Sequence, residues 1–533
     1  MIRLTALALL ALLPACQSYD VVCRAGTTKC NGGCADFSSD TRNCGACGIA
    51  CQSSQVCVDS QCVCQAGTSP CNGRCVVTAS DPANCGGCGV ACPSGQVCEA
   101  SQCKAGCALG TSSRCGDSCV DLQRDALNCG TCGAKCEAPQ TCHQGRCSFD
   151  VVAACFTSGQ VVGLEAAGQT RGPLEPLGSG PAALATYGEA LLVADGIDRA
   201  LLQARLASSN GHAFAQFPQL NRTGSAPNFV LADPPFVYVV NSGANTLQVL
   251  KQGAANDAGV TGDGGVLGSG GVALGTVGEL NFGANTTPEV AVKLGGSLWV
   301  PLYGGFGASS AAAGQKVVQV DVSDPANPKV ANTVDLAGLD LKAFDGGHPV
   351  PRPFAAVAHQ GALFVALNNL DPDTYAPQGP GLLARVDPAT RAVTVVDLGA
   401  DACLNPVWLA STGDGLVVSC SGAARYDSNF ALLGVEAAGV VTLDSALVRR
   451  STWAARCPVA DAGCAPPLPG RLAVQGGKVW VADQNAGRLF VLDVDGGVLT
   501  ERRGLSGGAG PVQACAVDSV TGIANVGDVL AVP

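Results

Sequence analysis

At 533 residues the chain is long enough for two or more domains, and its net charge of −11 comes without any Lys/Arg cluster, which argues against nucleic acid or an anionic surface as main partner. Only 14% of residues are charged and 70 are Gly, a balance that favours strands and tight turns over long polar helices. Aromatic residues stand at 5%, which argues against a stacking platform.

In chain order, Met1-Ile2-Arg3 gives a short positive start and Leu4 to Leu13 a nearly unbroken apolar run. Such a run is too short to span a bilayer and suits the hydrophobic region of a signal peptide. It ends in Leu13-Pro14-Ala15-Cys16, which resembles a bacterial lipobox. The resemblance implies a signal peptide over 1–15, lipid modification of Cys16 and a tether over 16–22. Several acyl chains, at roughly 0.8 kcal/mol per buried methylene, anchor far more firmly than one. An ordinary secreted protein cut nearby, with Cys16 structural, is the alternative. No later segment offers about twenty consecutive apolar residues, so the lipid would be the membrane attachment.

From Cys23 one eight-cysteine ruler repeats three times: over 23–62, 64–103 and 107–147. The gaps read x6, x3, x9, x2, x3, x5, x4, and only the first grows, to x7, in the third copy. Units of about 40 residues bury too little apolar surface to fold unaided, so covalent bridges are the expected substitute. Cys-x2-Cys pairs can also hold zinc or an iron–sulfur cluster. An even count in an exported chain favours four disulfides per unit, in any of 105 arrangements. The signature Asn43-Cys44-Gly45-Ala46-Cys47-Gly48, repeated from Asn84 and from Asn128, resembles the Stig1-type cysteine-rich repeat. That resemblance implies an extracellular module with no enzymatic activity. One residue, Val63, separates the first two units and three the next two, which predicts a semi-rigid stalk.

From Phe149 the pattern changes. Short apolar strands recur: Ala190–Asp195, Phe236–Asn241, Ser297–Val300, Ala362–Asn368, Gly415–Ser419 and Lys478–Asp483, several with a second strand close behind. Strands of this length at this period predict an all-β fold, with a β-propeller over 151–533. Tyr238-Val239-Val240-Asn241 resembles the motif that names the YVTN family of propellers. Six units are visible. A seventh blade is expected to be shared between the ends, Val151–Cys155 and Gln160–Leu164 from the start and Val512–Val517 from the end. Six blades are the alternative. Six cysteines fall in this region, and the reading pairs Cys155 with Cys515 across the shared blade, Cys403 with Cys420, and Cys457 with Cys464.

No His-x-x-x-His pair or P-loop occurs, so no catalytic residue is assigned. The four His (His143, His212, His348 and His359) give no Ser or Cys nucleophile an evident base. Asp195, Asn241, Asn368 and Asp483 each follow the second strand of a blade. Gathered on one rim they would be low-ranking candidates for Ca²⁺; as turn residues they would cap their own hairpins. The Gly-rich Asn256–Gly275, with Asp257 and Asp263, reads as a flexible insertion more than a Ca²⁺ loop. Trp299, Trp408 and Trp480 read as packing residues, and the insertions Phe306–Gln315 and Asp371–Gly381 as recognition loops. The leading expectation is a surface lipoprotein of the bacterial envelope, facing an oxidising compartment. In it a disulfide-rich stalk presents a propeller to an extracellular protein or polysaccharide, without a cofactor. A metal-dependent hydrolase or lactonase working in the propeller channel is the second expectation, and a zinc or redox role for the cysteine array the third.

Overall fold

The computed structural model describes residues 27–30, 33–52, 54–93, 96–104, 113–116, 118–136, 140–143, 145–165, 172, 174–206, 214, 221–253, 266–267, 271–427, 432–457, 464–503, 510–516 and 524–532. Cys16, His212, Asp257 and Asp263 lie outside them. Regular structure is almost all β; one helix, Ala308–Ala311, interrupts it among the described residues. The chain forms two compact units, Met1–Cys92 with Ala100–Gln102, and Pro93–Glu99 with Cys103–Pro533.

In the first unit short hairpins such as Gln55–Val58 with Gln61–Cys64 carry the cysteines. Among the described residues the bridges of all three repeats fit one scheme. Within a repeat the second cysteine joins the fifth (Cys30–Cys47, Cys71–Cys88), the fourth the seventh (Cys44–Cys57) and the sixth the eighth (Cys51–Cys62). Cys64–Cys75 links first to third. In the third repeat, which belongs to the second unit, Cys115–Cys132, Cys129–Cys142 and Cys136–Cys147 follow the same scheme.

The Asn-Cys-Gly signature has a mechanical cause. Asn43 Nδ2 donates to Asp40 Oδ2 at 2.8 Å, and its Oδ1 accepts from the Gly48 amide at 2.9 Å; Asn84 and Asn128 repeat both bonds. The glycine after the cysteine has φ near +78°, and a Cβ on Gly45 would meet the Ser60 carbonyl at 2.7 Å, so only glycine fits.

The second unit holds seven consecutive four-stranded antiparallel sheets among its described residues, the last extended by a fifth strand. The second sheet shows the plan: Pro181–Tyr187, Ala190–Asp195, Ala200–Arg205 and Asn221–Arg222, each paired with the next. Its second strand is buried at every position, because neighbouring sheets cover both faces; that is why these strands read as continuous apolar runs. The outermost strands alternate instead, as Val498–Arg503 does in the seventh sheet.

Seven apolar clusters each join two neighbouring sheets. One joins first to second around Val152, Leu191 and Val193, and the series continues round to Val151 and Val162 of the first sheet against Trp480 and Val491 of the seventh. First strands of adjacent sheets approach one another along the ring. This closed succession of radial sheets is a β-propeller fold.

Ring closure differs from the expectation in one respect. The strand from the C-terminus that completes the first sheet is Val526–Ala531, paired with Val151–Cys155. Val512–Gln513 pairs with Arg488–Leu489 of the seventh sheet. Both segments are short apolar runs, and period alone does not say which one faces the first sheet. Cys155 and Cys515 are joined, and the bridge ties the first sheet to the edge of the seventh.

Candidate functional site

Six sheets place a proline near the start of the innermost segment: Pro181, Pro227, Pro353, Pro406 and Pro469 open strands, and Pro288 bridges to Leu302. Proline lacks the ladder N–H and is tolerated at a strand's first residue. Directly after it, in all five strands, the register slips by a β-bulge, a device that re-aims side chains. These prolines pair with the ends of the second strands, so they mark one end of the ring, its mouth.

Just inside the mouth lies a polar network that crosses the ring. Arg471 Nη1 donates to the Ala182 carbonyl at 3.2 Å and meets Asp528 Oδ2 at 3.1 Å; Nη2 donates to the Asn228 carbonyl. Its guanidinium lies 4.6 Å from the Trp408 ring centroid. One side chain on the seventh sheet therefore touches the first, second, third and sixth. Asp528 Oδ2 also accepts from the Leu184 amide at 2.8 Å. Glu289, from the fourth sheet, accepts from Asn228 Nδ2 at 2.7 Å.

Burial governs the charges here. It pushes the Glu289 carboxyl up to about 8, against the opposing pull of Arg471 and Asn228. Burial likewise raises Asp528, although Arg471 pairs with it; desolvation outweighs the ion pair. At neutral pH Glu289 is a carboxylic acid, able to donate and to accept.

The two insertions singled out in the sequence meet at this same mouth. Arg352, fully buried, donates from Nη1 to the carbonyls of Gly304 and Gly305 and from Nη2 to that of Pro372, each within 3.1 Å. Its guanidinium packs 4.9 Å from the Tyr303 ring and 4.4 Å from that of Tyr375. The Gly307 amide donates to the Pro372 carbonyl at 3.0 Å. Phe306, 64% exposed, lies 5.3 Å from Tyr375, and Tyr303 lies 5.6 Å from Phe354. Burial raises the Tyr303 phenol, with Arg352 opposing and Tyr375 and Glu289 adding to the shift. The low aromatic content argued against a stacking platform; Phe306 and Tyr375 of the insertions meet Tyr303 and Phe354 beside them, a concentration of four rings that composition cannot register.

Asp195, Asn241, Asn368 and Asp483 all sit buried at or just after the ends of second strands. Asp195 accepts four backbone N–H bonds, from Ser179, Gly180, Ile197 and Asp198. Asp483 accepts from Leu468, Asn485 and the Arg488 guanidinium. Asn241 donates to Thr246 Oγ1 at 3.1 Å, and Asn368 pairs with Asn405. The two carboxylates are engaged in their own turns, Asn368 links two neighbouring sheets, and the buried Asn241 Oδ1 has no hydrogen-bond partner among the described residues.

Disulfides also join Cys403 to Cys420 and Cys457 to Cys464. Among the described residues the sulfurs of Cys44, Cys51 and Cys62, and of the matching triads in the other repeats, lie within 4.8 Å of one another; all are disulfide-bonded, which occupies the thiolates that zinc would need. Trp299 and Trp480 are buried packing residues, whereas Trp408 faces Arg471.

One histidine does have a serine beside it: His359 Nδ1 lies 2.8 Å from Ser411 Oγ. The pair sits at the far end of the ring. Other polar links at that end join Asp233 to Lys293 and Gln475 to the Val532 carbonyl, so it belongs to a structural series.

Arg471, Asp528, Glu289 and Asn228 escaped the sequence reading. The signal was the recurring proline, in Ala226-Pro227-Asn228, Thr287-Pro288-Glu289, Arg352-Pro353-Phe354 and Leu468-Pro469-Gly470-Arg471, each followed closely by a large or polar residue in an otherwise apolar strand.

No protein-family model matches the chain, and no curated protein does. Solved structures with a similar fold include a putative 6-phosphogluconolactonase from Bacteroides uniformis (12% identity, TM-score 0.44, covering 68% of this chain and 97% of that one). A protein from Lactobacillus plantarum is similar at 14% identity and TM-score 0.42 (68% and 97%), and AztD from Citrobacter koseri at 13% and 0.40 (66% and 93%). The propeller assignment itself rests on the strand order.

Proposed function

We propose that this protein is a lipid-anchored component of the bacterial envelope in which the cysteine repeats form a stalk, Cys16 carries the anchor, and a seven-bladed propeller binds an extracellular protein or polysaccharide at its mouth. The observation that carries the reading is a polarity of the ring. The third repeat leads into Val151, which starts a second strand and pairs with Ala531 at the far end, whereas both insertions, the exposed Phe306 and the axial polar network lie at the mouth. The disulfides fit an oxidising compartment. No helix among the described residues is long and apolar enough to cross a membrane. Acyl-chain labelling of the wild type and of Cys16→Ser tests the anchor: label retained by the variant defeats it. Attachment of partner-bearing cells or particles, compared between wild type and Phe306→Ala, tests the mouth; equal attachment defeats it.

A second reading, a lactonase-like hydrolase in the propeller channel, is favoured by Glu289 alone, a buried acid holding its proton at neutral pH as a leaving-group donor requires. Turnover of lactone substrates that survives Glu289→Gln removes it. The accompanying Ca²⁺ proposal is checked by elemental analysis of the dialysed protein: near-stoichiometric calcium lost in Asp195→Asn or Asp483→Asn supports it, and none in the wild type ends it.

A further inference from the structure

We propose that the four rings Phe306, Tyr375, Tyr303 and Phe354 form a binding track for a linear polysaccharide, whose end sugar reaches Asn228 and Glu289 on the axis. This rests on the mouth being the recognition site, and it commits to a glycan over a protein.

Ring centroids follow one another at 5.3 Å from Phe306 to Tyr375, 6.3 Å from Tyr375 to Tyr303 and 5.6 Å from Tyr303 to Phe354. That is a spacing comparable to consecutive six-membered sugar rings, whose C–H faces pack on aromatic faces. Tyr375 and Tyr303 lie within 14° of parallel, Phe306 tilts by 43° to Tyr375, and Phe354 turns its plane 76° from that of Tyr303 to flank the track. Arg352 holds Tyr303 and Tyr375 from beneath and clamps the two loops through three carbonyls, so the track is set before ligand arrives and little ordering is lost on binding.

At the axial end a neutral carboxylic acid and an amide each offer donors and acceptors, the complement of vicinal hydroxyls that also do both. A carboxylate would offer acceptors only. A protein partner needs about 800 Å² of complementary surface on each side. The track instead grades from the 64%-exposed Phe306 to half-buried rings, a strip one ring wide that suits a thin chain.

The test is calorimetric titration of the full chain, oxidised and held in detergent, with hexasaccharides of cellulose, chitin, amylose and polygalacturonate, and with the matching disaccharides. The expected result is saturable binding of at least one hexasaccharide, tighter than its disaccharide. Phe306→Ala should weaken it about tenfold, the loss of one aromatic contact worth about 1.4 kcal/mol. Phe306→Trp should retain binding, as should Val498→Ala, an exposed residue of the far end. Binding equally strong in Phe306→Ala, or none of any hexasaccharide, overturns the proposal. If no hexasaccharide binds yet Phe306→Ala still abolishes attachment of partner-bearing particles, the glycan is wrong while the mouth stands. If attachment is also indifferent to Phe306→Ala, the mouth reading falls too.

Discussion

Glu289→Gln should make the propeller markedly less sensitive to pH. Glu289 titrates at about 8 in the folded chain, against an ordinary value of 4.5, chiefly because it is buried. At 1.36 kcal/mol per pH unit, that difference amounts to about 5 kcal/mol. The folded value lies above the unfolded one, so the stabilisation is fully present below pH 4.5 and is lost as pH rises through 8. Glutamine keeps an oxygen for the Asn228 amide, which now bonds to Glu289 at 2.7 Å, and never ionises. Variant and wild type should therefore unfold alike near pH 4.5. By pH 9 the variant should be more stable by up to about 5 kcal/mol, which in a unit this large is roughly 5 °C in Tm. Scanning calorimetry of both proteins under non-reducing conditions at pH 4.5, 6, 7.5 and 9 reads this directly. Groups away from Glu289 titrate equally in the two, so the difference reports this carboxyl together with its coupling to Arg471 and Tyr303. A difference that stays constant across the range would refute the reasoning.

Arg471→Met leaves Asp528 buried without its cation and should cost about 3–5 kcal/mol, most of it recovered in Arg471→Met/Asp528→Asn; denaturant midpoints of the three variants check this, and a double variant no better than the single contradicts it. Replacing both Cys155 and Cys515 by Ala opens a loop with a sequence separation of 360. Chain entropy puts that loss at about 5–6 kcal/mol, visible as a lowered Tm, and an unchanged Tm would show that the seven apolar clusters close the ring alone. Non-reducing peptide mapping should return Cys64–Cys75, Cys71–Cys88 and their equivalents, with Cys23–Cys34 and Cys107–Cys119 completing the same scheme; any peptide joining two repeats contradicts it.

What the sequence made legible follows from burial. Second strands such as Ala190–Asp195 and Lys478–Asp483 are covered on both faces, so they stand out as unbroken apolar runs and register as blades. Outer strands and sheet membership are less visible, because Val512–Gln513 and Val526–Ala531 are equally apolar and only tertiary pairing separates them. The turn role of Asp195 and Asp483 was readable from residue chemistry alone, since a carboxylate after a strand finds backbone donors within a few residues. Glu289 and Arg471 were not readable: a single acid after proline resembles a loop residue, and its distinction comes from Asn228 and Arg471 of other sheets, which reach it only in the folded ring. Disulfide pairing inside the cysteine repeats was opaque, since spacing fixes which cysteines are near in sequence and not which sulfurs meet, whereas the three propeller pairs followed from where their strands begin and end.

The asymmetry between the two ends of the ring is the strongest argument that the mouth does more than hold the fold together. At the far end the inner strands are joined by local links such as His359 with Ser411 or Gln475 with Val532, each between neighbouring sheets. Axial positions at the mouth instead carry the Arg471–Asp528 pair, whose burial costs several kcal/mol per charge and which well-packed apolar residues often replace without loss of stability, and Glu289, whose burial raises its carboxyl to about 8. Arg352 adds a guanidinium whose hydrogen-bond acceptors are carbonyls of the two insertion loops. A ring held only for stability has no use for such a concentration at one end. A ring that must keep that end shaped, polar at its centre and aromatic at its rim does.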